Sequence, residues 1–99
     1  MRISYSPHVA PKIREFIKAW GIVPKFIASE INRRIEDLAE TPSLGQPDPE
    51  RSALFADASF YTFVIDAPPI VKRITVAYII AINEDGPVLQ VLDVSPAEI

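Results

Sequence analysis

VKRITVAYIIAINEDGPVLQVLDV, residues 71–94, alternates apolar with small or polar side chains on both sides of the turn Asn83-Glu84-Asp85-Gly86. A period of two, rich in Val and Ile and interrupted by a Gly-containing turn, predicts two antiparallel strands joined as a hairpin. Ile74, Val76, Tyr78, Ile80 and Ile82 then point one way as a continuous apolar row suited to a layer of helices. Arg73, Thr75, Ala77, Ile79 and Ala81 point the other way, small or polar first and apolar further on. That second face is too apolar for ordinary solvent-exposed sheet, so part of it is expected to be covered. Lys72 falls at the start of the strand, where a long stem can carry its ammonium to water. Pro87 opens the last strand, a position that tolerates a missing donor.

Toward the N-terminus, SFYTFVIDA (59–67) is another strand, broken by Pro68-Pro69. The polar, turn-rich TPSLGQPDPERS (41–52) is the longest irregular connector. Before it the period changes to that of a helix. Ile27, Ile31, Ile35 and Leu38 form one stripe after Pro24, and Thr41-Pro42 stops it. Val9, Ile13, Phe16, Ile17 and Trp20 form another, with Ser6 as the expected N-cap, Pro11 in the first turn and Gly21 at the end. Trp20 is assigned to packing. The two helices, separated by Gly21-Ile22-Val23, make a helical hairpin, and RISY (2–5) is a short first strand. The order is β-α-α-β-β-β: an α+β domain in which a helical hairpin packs on one face of an antiparallel sheet.

Length and composition fit one domain over residues 1–99. Apolar residues are 48% of the chain, enough for a packed core without staples. There is no cysteine, which removes disulfides and thiolate ligands. A formal charge of −3 argues against wholesale phosphate binding, where a basic face supplies most of the affinity. No apolar run approaches the roughly 20 residues that span a bilayer, and MRISYSPHV lacks an apolar signal core, so the expectation is a cytoplasmic protein with no membrane association.

The order of elements and the residues filling it resemble the RelE/ParE superfamily of toxins from type II toxin–antitoxin pairs. ISYSPHVAPKIREFI looks like the family's opening strand, Ser-Pro turn and first helix. INRRIEDLAETPSLGQP resembles its second helix and the Pro and Gly that follow, and INEDGPVLQVLDV its final acidic turn and apolar strand. The resemblance implies a toxin that cleaves messenger RNA on the ribosome or poisons DNA gyrase, neutralised by an antitoxin that wraps it with helices and an added strand. Two features depart from the ribonuclease members: the tail SPAEI carries no arginine, histidine or tyrosine, and Tyr78 is followed by Ile79 where the resemblance implies an arginine.

Cleaving an RNA phosphodiester takes a base for the 2′-hydroxyl, a cation for the developing charge and an acid for the leaving oxygen. If the chain is a ribonuclease, Arg73, Arg51 and Tyr61 are the residues to supply them. As a binding surface, the candidates are Arg73, Thr75 and Lys72. His8 stands at a helix start, where the dipole disfavours a protonated ring. Tyr78 shares its row with four branched apolar residues and belongs to the core. Asp66, Asp93 and Glu98 are scattered and lack a neighbouring histidine or cysteine, so no metal site and no cofactor are expected. Arg33 and Arg34 are opposed by Glu30, Glu36 and Asp37 and read as a solvated face.

A nuclease lacking its general acid or base loses about 10²–10⁴-fold in rate. A binding protein loses nothing, and a half-apolar face suits an interface. The leading expectation is therefore a toxin component that binds a macromolecular target such as DNA gyrase. Its cognate antitoxin is expected to bind the helices and an open sheet edge. The alternatives are a ribosome-dependent messenger-RNA endonuclease, or a non-toxic interaction module of the same fold, with a homodimer among the possible assemblies.

Overall fold

In the computed structural model, which describes residues 1–21, 24–48, 57–68 and 70–98, two helices pack against a five-stranded mixed sheet. The elements are β1 (Arg2–Tyr5), α1 (Val9–Ala19), α2 (Pro24–Glu40), a 3₁₀ turn (Pro42–Leu44), β2 (Gln46–Pro47), β3 (Ser59–Ala67), β4 (Ile70–Asn83) and β5 (Gly86–Glu98). Their order across the sheet is β1-β5-β4-β3-β2. The predicted strand 59–67 is β3 residue for residue, and the hairpin 71–94 lies within β4 and β5.

The expected all-antiparallel sheet is corrected at one edge. β1 runs parallel to β5, pairing Arg2 with Val88 through Tyr5 with Val91. No hairpin joins these two strands, so no tight turn imposes an antiparallel direction; the helical pair carries the chain away from β1 instead. A two-residue β2 pairs with Ser59 and Phe60 inside the connector, where irregular chain was expected.

The N-cap of α1 is His8, not Ser6, and it makes no side-chain capping bond. Ser6 is already held: its N–H donates to Val91 C=O (2.9 Å) and its C=O accepts from Val9 N–H (3.0 Å). That tie to β5 delays the first helical residue. At the other end Gly21 takes φ +69, which costs glycine little, and its N–H returns to Lys18 C=O (3.1 Å). In α2 the stripe Ile27, Ile31, Ile35 and Leu38 is fully buried, and Thr41 N–H closes the last turn on Asp37 C=O (2.8 Å). Ile22 and Val23 between the helices lie outside the described residues.

These stripes meet Phe63 and Ile65 of β3, Ile74, Val76 and Tyr78 of β4, and Leu89, Val91 and Val94 of β5 in one core. Each Ile or Val buried there is worth about 1.5–3 kcal/mol relative to exposure. Trp20 is only half-buried, packed on Phe16 with ring centroids 4.9 Å apart. The expected five-residue row on β4 is buried for three residues and then emerges, Ile80 being 41% and Ile82 84% exposed. β4 runs on past its last pair with β3, Ser59 with Tyr78, toward the turn into β5.

Two further features shape the hairpin. A register shift between Ala77 and Tyr78 pairs them with Asp93 and Val91, leaving Leu92 as the extra residue of a bulge. The stretch expected to be an unpaired tail instead prolongs β5, Ser95 pairing with Thr75 and Pro96 with Ile74. β1 covers β5 only from Val88 to Val91, so among the described residues the strand around Pro96 has a flank with no strand partner, where a residue without a donor is tolerated.

Tyr78 fixes the connector to this core. Its hydroxyl donates to Pro42 C=O and accepts from Gly45 N–H at 3.1 Å. A Cβ at position 45 would stand 2.3 Å from that hydroxyl oxygen, so the Gly of the SLGQ segment is demanded by close approach. Burial pushes the Tyr78 phenol above its ordinary pKa, with the bonds from Gly45 and Ser59 opposing the shift.

Candidate functional site on the open face of the sheet

Register assigns each β4 side chain to a face. Phe63 pairs with Ile74 and Tyr61 with Val76, so Tyr61 lies on the helical side, where its ring is 5.7 Å from that of Phe63. Val64 pairs with Arg73 and Thr62 with Thr75, which puts these four on the opposite, open face. Across β5 the same rows continue through Ala97 beside Arg73, Ser95 beside Thr75 and Asp93 beside Ala77.

A line of hydroxyls therefore crosses the sheet. Thr62 and Thr75 share a hydrogen bond of 3.0 Å between their Oγ1 atoms, and Ser95 stands on the far side of Thr75. Thr75 is only 7% exposed. Beyond Ser95, α1 sends Lys12 to the face. Its Nζ donates to Asp93 Oδ1 (2.8 Å), Asp93 Oδ2 (3.0 Å) and Ser95 Oγ (3.2 Å), while Ser95 Oγ donates to Asp93 Oδ2 (2.9 Å). His8 Nε2 lies 3.5 Å from Asp93 Oδ1. Burial on its own would raise the Asp93 carboxyl, but the bonds from Lys12 and Ser95, the Lys12 charge and the Val94 N–H hold it below the usual carboxylate range.

Arg73 is exposed and has no hydrogen-bond or ion-pair partner among the described residues. Its surroundings are the exposed Val64 and Thr62, the buried Thr75 and the small Ala97. A solvated guanidinium beside hydroxyls and apolar surface can hold an anionic group of a partner, bidentately where that group is a carboxylate or phosphate.

The residues nominated from sequence are distributed as follows. Arg73 and Thr75 share the open face, two residues apart on β4. Lys72 pairs with Ile65 and turns to the helical side, its Nζ 5.8 Å from the Trp20 ring centroid. Tyr61 is separated from Arg73 by the thickness of the sheet, and Arg51 lies outside the described residues. His8, beside Asp93, is removed from Arg73 by the four-residue step from Arg73 to Ala77, roughly 13 Å at a strand's rise. No acid–base pair thus converges with Arg73 on a single phosphate among the described residues. Nor do these residues contain three or more His, Cys, Asp or Glu placed to hold a metal ion.

Lys12, Asp93, Ser95 and Thr62 were not nominated from sequence. The alternation Asp93-Val94-Ser95 carries a signal, since it continues the period of β5 beyond Val94 and sets the two polar side chains on one face. Lys12 carried none, because its role depends on where α1 lies against β5.

Outside this face, Glu30 of α2 receives Arg33 (2.6 Å) and Arg34 (3.2 Å), and the Arg33 bond foremost keeps its carboxyl below the ordinary value. No described helix is long and apolar enough to cross a membrane. No family model, curated protein or solved structure matches the chain.

Proposed function

We propose that this chain is the toxin component of a type II toxin–antitoxin pair of the RelE/ParE kind, acting by binding a macromolecular target such as DNA gyrase. One observation carries the reading. A sheet backed on one side by a helical pair presents, on the other, the Arg73 guanidinium, without a polar partner among the described residues, amid hydroxyl and apolar side chains. Such a surface suits docking better than phosphodiester chemistry, because among the described residues the acid–base groups that chemistry requires are not gathered around Arg73. A small antitoxin binding the helices and an open sheet edge would neutralise it.

The test is to express the chain alone and together with the product of the neighbouring reading frame, following growth and DNA supercoiling. Growth arrest with altered supercoiling, relieved by the neighbour, supports the reading. Messenger-RNA cuts that vanish with Arg73→Ala would replace it with the endonuclease reading. Normal growth without any neighbour would leave a non-toxic interaction module of the same fold.

A further inference from the structure

β3 leaves the sheet with an unguarded flank. β2 covers only Ser59 and Phe60, and among the described residues no strand pairs with the outer side of Tyr61 to Ala67. This stretch is lightly protected among the described residues: YTFVIDA contains no proline and no lysine, its single charge is Asp66, and its pairing with β4 is regular throughout. Val64 is 45% exposed on the open face, and Phe26 of α2 is 57% exposed beside it. Together with Glu30, Arg34, Ile65 and Asp66 they line a groove of about 250 Å³ between α2 and the strand. Glu30 in that groove is already paired with Arg34.

We propose that this edge pairs antiparallel with the same edge of a second copy of the chain, about a twofold axis at Val64. The occupant follows from register and charge. Side chains directly opposite one another must share a face, so the pairing can shift only in steps that preserve the alternation. Centring on Val64 is the register that uses the whole free stretch, from Tyr61 against Ala67 to Ala67 against Tyr61. It stops at β2 on one side and at the end of β3 on the other. In that register Val64 meets its own copy, Phe63 meets Ile65, and Asp66 meets the hydroxyl of Thr62 of the second copy. The one charged side chain of the stretch thereby faces a donor and avoids its own kind; centring on Asp66 would oppose two carboxylates. An axis perpendicular to the sheet keeps both helical layers on one side, with Phe26 of each copy flanking the seam. The two five-stranded sheets become one of ten strands.

This assembly stands apart from the proposed toxic activity, and its test reads mass alone. Wild-type protein at hundreds of micromolar should sediment as a dimer. Val64→Glu and Val64→Lys, each with unchanged circular dichroism, should sediment as monomers, because like charges then meet on the axis. An equimolar mixture of the two should recover the dimer. The chain has no cysteine, so Val64→Cys supplies a single thiol. Opposed Cα atoms of an antiparallel pair lie about 4.5–5.5 Å apart, within disulfide reach, and mild oxidation should give a covalent dimer. Val71→Cys, exposed on β4 but away from the edge, should not. A monomeric wild type, a Val64→Glu dimer as tight as wild type, or equal cross-linking at position 71 would overturn the assignment. So would a wild-type monomer that accepts an extended peptide on this edge, since the occupant would then be another chain.

Discussion

The two faces of β4 are buried to different extents. Ile74, Val76 and Tyr78 lose solvent to side chains from α1 and α2, so each contact there crosses between layers. Thr75 and Ala77 are also buried, 7% and 3% exposed, but on a face where Arg73 stays in water. The first face sets stability. The second is a surface that is closed at its centre and available around it, which is what a docking face requires. Substitutions of similar size should therefore have very different consequences on the two sides.

The largest effect is expected at Ile35, fully buried between α2 and the sheet. Ile35→Ala should cost about 2–5 kcal/mol from lost transfer energy and the cavity left behind. For a domain of this size that corresponds to roughly 4–8 °C of melting temperature per kcal/mol, readable in a thermal scan. A loss under about 1 kcal/mol would mean that α2 is not seated as described. Next comes Gly45→Ala, which drives a methyl into the Tyr78 phenol ring, its nearest atoms 2.3–2.7 Å away. Overpacking of this kind costs about 1–3 kcal/mol, and denaturant unfolding would measure it. A neutral outcome would show that the connector is not pinned to β4.

A smaller effect belongs to the polar strap from α1 to β5. Lys12→Met removes three hydrogen bonds to Asp93 and Ser95, but the amine is partly solvated, so about 1 kcal/mol is expected. Acid gives the sharper readout. The folded Asp93 carboxyl lies below its ordinary value, so it binds its proton less readily than in the unfolded chain. Its contribution is complete above the unfolded carboxylate pKa of about 3.9 and is lost as pH falls through the lower folded value. The stability gap between wild type and Asp93→Asn should accordingly narrow as pH drops below about 4. A gap that widened in acid would reverse the sign assigned to this carboxyl.

The helical side of the molecule was legible in the sequence because its signal is local. The stripe Ile27, Ile31, Ile35, Leu38 and the alternation of β3 and β4 are set by periods of 3.6 and two, and the structure buries them accordingly. The open face was legible only in part. Arg73 and Thr75 follow from strand parity once β4 is drawn, whereas Lys12 reaches Asp93 across 81 positions of sequence. The direction of β1 was likewise hidden, since nothing in RISY states which strand it will join. Ile80 and Ile82 mark the converse error. Their pattern is that of core residues, yet periodicity does not say where the neighbouring strand stops, and these two lie beyond the last β3–β4 pair, Ser59 with Tyr78.

Arg73 separates the two faces most cleanly, because it should matter least to folding. Its side chain is exposed and makes no polar contact among the described residues, so Arg73→Ala should shift stability by no more than about 0.5 kcal/mol. If the open face is the docking surface of a growth-inhibiting toxin, as proposed, the same substitution removes a guanidinium with no polar partner among the described residues and should weaken growth inhibition while the melting temperature stays put. Arg73→Lys then distinguishes kinds of contact: it retains the charge but not the planar fork, so it restores activity if the partner reads charge alone and fails if recognition is bidentate. A stability loss of 2 kcal/mol or more in Arg73→Ala would instead make Arg73 a structural residue with an uncounted partner, and the contrast between the faces would collapse at the residue that defines it.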